Sequence, residues 1–115
     1  MSYTIEKPWG YYTVLLEGQG VLFKKIVIYP NNRLSLQKHQ YRDEIWIITN
    51  GMGLITTGDK TRRVVAGSWI FIPRNTIHRV GADDTDYVEF YEVQIGDLLS
   101  EDDIERFEDD YGRIK

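Results

Sequence analysis

The stretch RLSLQKHQYRDEIW, Arg33 to Trp46, decides how this chain folds. In an extended strand, successive side chains point to opposite sides. Arg33, Ser35, Gln37 and His39 then share one face, and Leu34 and Leu36 share the other. An entirely polar face either meets solvent or lines a pocket while the two leucines pack outward against another sheet or subunit. Alternation alone leaves both outcomes open.

On either side of this stretch the chain repeats one rhythm. Short β-branched and aromatic runs, YYTVLL, VLFKKIVIY, IWIIT, GLITT, RRVVA, SWIFI and YVEFYEVQI, are separated by EGQG, YPNN, TNGMG, TGDKT and GADDTD. The separators place Gly, Asn or Asp where a turn needs positive φ. An all-β barrel or sandwich of antiparallel hairpins is expected. Only the C-terminal stretch from Ser100 reads as a short helix. Ser100 and Asp103 form a capping box, Glu101 and Asp102 suit the positive end of the helix dipole, and Ile104, Phe107 and Tyr111 fall on one face.

The 115 residues suffice for one core, so a single domain over residues 1–115 with one site is expected. A hydrophobic content of 42%, with 8 Tyr, 4 Phe and 3 Trp, is too high for a disordered chain. Cysteine is absent, so any metal must take imidazole, carboxylate or amide donors. The net charge of -4 argues against a nucleic-acid binder, which usually carries a basic face. MSYTIEKPWG lacks the pattern of a signal peptide, and no apolar run approaches the roughly 20 residues of a membrane span. The expectation is a cytoplasmic protein with neither nucleic acid nor membrane as partner.

The spacing of donors goes further than alternation. Gln37-x-His39 is followed by Glu44 and Gly51, and later come Gly67, Pro73-x-Asn75 and His78. Two donors at i and i+2 share a strand face, a carboxylate returns from the next strand, and a distant His closes the site. Two imidazoles, one amide oxygen and one carboxylate suit one divalent ion, Zn, Mn, Co, Ni or Fe(II), with positions left for a substrate. This pattern resembles the two cupin motifs. The resemblance implies a cupin double-stranded β-helix, a jelly-roll barrel, with Gln37, His39, Glu44 and His78 on the metal. Gln37 stands where a cupin usually carries its first His. Together with KPWGYYTVL, KKIVIYP, IPRNTIHR, EVQIG and EDDIERFEDDYGR, it makes the chain from Lys7 to Arg113 resemble the cupin domain of type II phosphomannose isomerases.

That resemblance implies a metal-dependent isomerase interconverting mannose 6-phosphate and fructose 6-phosphate through an enediolate. Gln40, Tyr41 and Ile45 depart from the His-rich pattern common in that family. Two alternatives therefore stay open: an isomerase or epimerase for another phosphorylated or nucleotide-linked sugar, and a non-catalytic sugar-phosphate-binding module. No glycine-rich phosphate loop followed by Lys occurs, so GDP-mannose synthesis by this stretch alone is not expected.

Isomerisation needs an electrophile for the sugar oxygens and a base to move a proton between adjacent carbons. Glu92 is the candidate base, since Phe90, Glu92 and Gln94 share a face in YVEFYEVQI. The opposite orientation, with Tyr91, Val93 and Ile95 inward, fits the pattern equally, and the resemblance of EVQIG favours Glu92. Arg42, in the hairpin between His39 and Glu44, joins it as a catalytic candidate. A phosphate requires further cations and donors: Arg33 and Ser35 on the polar face, Lys25 on the neighbouring strand, and Arg106 from the C-terminal helix. Outward Leu34 and Leu36 would suit a homodimer interface.

Overall fold

The structure, a computed structural model, describes residues 2–114. Its elements are β1 (Tyr3–Lys7), β2 (Gly10–Gly18), β3 (Val21–Ile28), β4 (Leu36–Lys38) and β5 (Arg42–Thr57). They are followed by β6 (Lys60–Val65), β7 (Trp69–Ile72), β8 (His78–Ala82), β9 (Val88–Gly96) and β10 (Glu105–Glu108). Every pairing is antiparallel, in the order β1-β2-β3-β9-β5-β8-β4-β10, with β6 and β7 also on β5.

The long β5 makes one barrel out of two sheets. Its first half pairs with β9 and β7, and its second half pairs with β6 and β8. The change of sheet falls at a bulge between Ile48 and Asn50 and at Gly51, whose φ is 79°. A side chain at Gly51 would run into the Tyr87 carbonyl, so only glycine fits this crossing.

The interior is built in rows set by strand register. Ile26, Phe90 and Ile48 are register partners across β3, β9 and β5, and all three are buried. Ile28, Ile55, Val64, Val80 and Val88 complete an apolar core around them. One step along the same strands the row reads Lys24, Glu92 and Trp46, and the next brings Gln94 opposite Glu44. One end of the barrel is thus a hydrocarbon core and the other a lined polar cavity.

Two expectations fail here. No helix occurs among the described residues, so none is long and apolar enough to cross a membrane. In place of the C-terminal helix, Ser100 closes a turn, accepting the Asp103 N–H on its carbonyl at 3.1 Å and the Asp102 N–H on Oγ at 3.1 Å. The chain then joins the sheet as β10, pairing Arg106 with Gln37. Tertiary pairing overrides the local helix signal, as weak propensities allow. Leu34 is the second correction: it is buried in the core rather than outward, and so is lost to the expected dimer face. Residues 34 and 35 lie outside any strand, so alternation breaks and Leu34 and Ser35 are buried together.

Candidate metal centre

β4 and the turn after it deliver Gln37 and His39, β5 delivers Glu44, and β8 delivers His78. Gln37 is the register partner of His78, which brings the two separated motifs side by side. The donor atoms of His39, Glu44 and His78 lie within 4.8 Å of one another, and all three residues are buried. His39 Nε2 is 3.3 Å from Glu44 Oε2, and His78 Nε2 is 3.9 Å from Glu44 Oε1. Gln37 lines the same cavity, its Oε1 accepting from Ser35 Oγ at 3.4 Å.

The arrangement fits a metal on its own chemistry. His39 Nδ1 donates to the Asp103 carbonyl at 2.8 Å, and His78 Nδ1 donates to the Thr76 carbonyl at 2.9 Å. Those bonds fix the proton on Nδ1 in both rings and leave the Nε2 lone pairs facing Glu44. Burial, then the Arg42 charge, lowers His39 to about 4, and burial lowers His78 as well. Both imidazoles are therefore neutral near pH 7, the form that ligates metal. His78 Nε2 is buried with no hydrogen-bond partner among the described residues. A buried polar atom costs about 1–3 kcal/mol if left unpaired, so this atom calls for a ligand.

Trp46 divides the two ends of the barrel. Its ring lies 4.8 Å from Phe90 on the core side and 5.6 Å from His78 on the polar side. Its Nε1 donates to Glu44 Oε1 at 3.0 Å and to Glu92 Oε2 at 3.2 Å, holding both carboxylates at the cavity floor. Glu92 also accepts from Gln94 Nε2 at 2.6 Å. Burial, then the neighbouring Glu44 charge, raises Glu92 to about 7. A carboxyl in that state exchanges a proton near neutral pH.

Arg42 is buried against this cluster, with Nε donating to Glu44 Oε2 at 2.8 Å and Nη1 donating to the Ser100 carbonyl at 3.1 Å. Its Nη2 lies 3.3 Å from His39 Nε2. Ser35, Glu92 and Arg106 also line the cavity, whose volume is about 90 Å³. Arg106 reaches it from β10, not from a helix, and its Nε is buried without a partner among the described residues.

Arg33 and Lys25 do not line it. Arg33 makes a two-pronged ion pair with Asp110 at 2.7 and 3.0 Å on the surface. Lys25 sits on the other face of β3 from Lys24, which is the buried one. Lys24 enters the cavity with Nζ 2.7 Å from Glu101 and 4.2 Å from the Tyr12 ring centroid. Its sequence signal was the parity it shares with Ile26 and Ile28, which fixes its face once their burial is known. Arg113, Gln94 and Glu101 are further lining residues that motif spacing did not single out.

The chain has relatives among known proteins. The family model for the C-terminal part of mannose-6-phosphate isomerase matches residues 1–109. The chain is 40% identical over 109 residues to alginate biosynthesis protein AlgA of Pseudomonas aeruginosa, covering 95% of this chain and 23% of that protein. It is 35% identical over 109 residues to mannose-1-phosphate guanylyltransferase of Salmonella muenchen, again covering 95% of this chain and 23% of the relative. The chain thus spans about a quarter of the length of these curated relatives.

Among solved structures, oxalate decarboxylase from Bacillus subtilis superposes with a TM-score of 0.78 at 18% identity, over 93% of this chain and 32% of that one. A cupin-like protein from Thermotoga maritima gives 0.76 at 20% identity, over 86% and 76%. At such identities the likeness concerns the fold alone, a cupin double-stranded β-helix. By fold and by sequence together, this chain belongs to the mannose-6-phosphate isomerase C-terminal family.

Proposed function

We propose that this domain is a metal-dependent sugar-phosphate isomerase that interconverts mannose 6-phosphate and fructose 6-phosphate. The observation that carries the reading is a buried donor cluster, His39, Glu44 and His78, of which His39 and Glu44 line one cavity together with a buried carboxyl, Glu92, of raised pKa. The family supports the substrate class, since its members act in mannose phosphate metabolism by name. The nucleotidyl transfer named for some relatives refers to proteins of which this chain matches 23%.

His39, Glu44 and His78, with Gln37 beside them, would hold the ion. A bound divalent ion would supply Lewis-acid polarisation of the sugar's carbonyl and neighbouring hydroxyl oxygens. Glu92 takes the proton from C2 of the open-chain aldose and returns it to C1, while the hydroxyl proton on O2 passes to O1, so that the carbonyl moves from C1 to C2. Its raised pKa lets it do both near neutral pH. Trp46 and Gln94 fix the carboxyl by hydrogen bonds to each oxygen. Lys24, Arg106 and Arg113 line the same cavity and supply positive charge for the phosphate dianion. Arg42 shields the Glu44 carboxylate from Glu92, so that two buried acids coexist.

The test is turnover of mannose 6-phosphate by metal-analysed protein, read as fructose 6-phosphate formed. The reading expects turnover that a chelator abolishes and that returned metal restores. Tight, metal-dependent binding of the sugar phosphate with no turnover would contradict catalysis and favour a binding module.

A further inference from the structure

We infer that Asp103 is the positioning residue of the metal centre, a clamp that reaches from the segment before β10 and fixes the turn carrying His39. The inference rests on reading His39, Glu44 and His78 as the ligand set. Asp103 lies more than sixty positions from that turn in sequence, yet three bonds join the two. Its backbone carbonyl accepts from His39 Nδ1 at 2.8 Å. Its carboxylate accepts from the Gln40 N–H through Oδ1 and from the Tyr41 N–H through Oδ2, both at 2.9 Å.

These bonds divide the work. The carbonyl sets the tautomer and the plane of the His39 ring, as outer-shell partners of metal-bound histidines do. The carboxylate grips the two residues that separate His39 from Arg42, so the spacing between His39 and Glu44 is held from outside the hairpin. A carboxylate accepting two backbone N–H groups makes charge-assisted bonds of fixed direction. Local sequence suggested that this acid completes a capping box begun by Ser100. In the structure its carboxylate instead serves N–H groups of another segment, while Ser100 alone closes the local turn. The same segment adds the Arg42 bond to the Ser100 carbonyl and the Lys24 bond to Glu101. Asp103 is the member that touches the His39 turn itself.

Cobalt(II) titration of the whole chain, followed by its visible absorption, tests this without any assay of activity. Asp103→Ala is expected to bind cobalt about 10- to 100-fold more weakly than the unmodified chain, with altered band intensity from a displaced imidazole. Asp103→Asn, which keeps an acceptor oxygen, is expected to fall in between, and it carries the test if the alanine variant does not fold. Asp102→Ala removes the adjacent charge and is expected to bind as the unmodified chain does. Equal cobalt affinity in the unmodified, Asp103→Ala and Asp103→Asn chains overturns the inference while leaving the metal centre intact. An equal loss in Asp102→Ala also overturns it, since the effect would then be general charge. Failure of the unmodified chain to bind cobalt sinks the metal centre itself and this inference with it.

Discussion

The two ends of the barrel interior are lined by the same three strands and differ in almost every physical respect. On β3, β9 and β5 the row of Ile26, Phe90 and Ile48 is hydrocarbon, and the adjoining inward row is Lys24, Glu92 and Trp46. Apolar burial at the first end drives folding, at about 25 cal/mol per Å². Burial of Glu92, Lys24 and Arg42 at the second end opposes it, because charged groups lose hydration there. The polar end persists because its charged groups Glu44, Glu92, Arg42 and Lys24 are each paired, through Trp46, Gln94 and Glu101 as well as with one another. One end stabilises the fold, and the other uses that stability to hold its buried polar groups.

The sharpest way to break this division is Glu92→Gln. General acid–base groups contribute about 10²–10⁴ in rate, so kcat for the proposed isomerisation should fall in that range while metal content is retained. A variant with unchanged kcat would remove Glu92 from the chemistry. At the other end, Phe90→Ala should cost about 3–5 kcal/mol in denaturant unfolding, the usual loss for a fully buried aromatic ring.

A smaller effect is expected from Lys24→Met, which replaces a buried charge by an apolar chain of similar length. Its partner Glu101 has a side chain 59% exposed and returns to water. Stability should then change by less than about 1 kcal/mol, while affinity for mannose 6-phosphate falls. A loss as large as that of Phe90→Ala would place Lys24 in the stabilising half instead.

A last effect is confined to acid. The Arg113 side chain bonds Asp109 through two nitrogens and holds its carboxyl at about 2, below the ordinary 3.8. A depressed carboxyl contributes stability above its unfolded pKa and loses it as pH falls through the folded value. The unmodified chain should therefore lose this contribution between about pH 4 and pH 2, and Asp109→Asn should not show that part of the loss. Parallel acid unfolding curves would contradict the assignment.

How much of this was legible in the sequence depended on regular backbone. Spacing marked Gln37, His39, Glu44 and His78 because each sits in or next to a strand whose alternation is intact. The orientation of β9 was not legible, since Glu92 and Tyr91 offer equally good inward faces until Phe90 is known to be in the core. Lys24 and Lys25 posed the same choice of parity. Leu34 misled because its segment is irregular, and Arg33 because an exposed partner, Asp110, draws it away. Ser100 to Asp103 misled most, because a capping box and a long-range clamp use the same residue types. Only the fold places Asp103 beside Gln40 and Tyr41.

In the proposed site His39 and His78, brought from separate motifs, share one metal with Glu44. The most direct measurement is metal content of the purified chain beside His39→Ala and His78→Ala, each dialysed against the same cobalt(II) buffer. One tightly held ion is expected in the unmodified chain and its loss in both variants, with folding retained by circular dichroism. Full metal content in both folded variants would contradict the shared site.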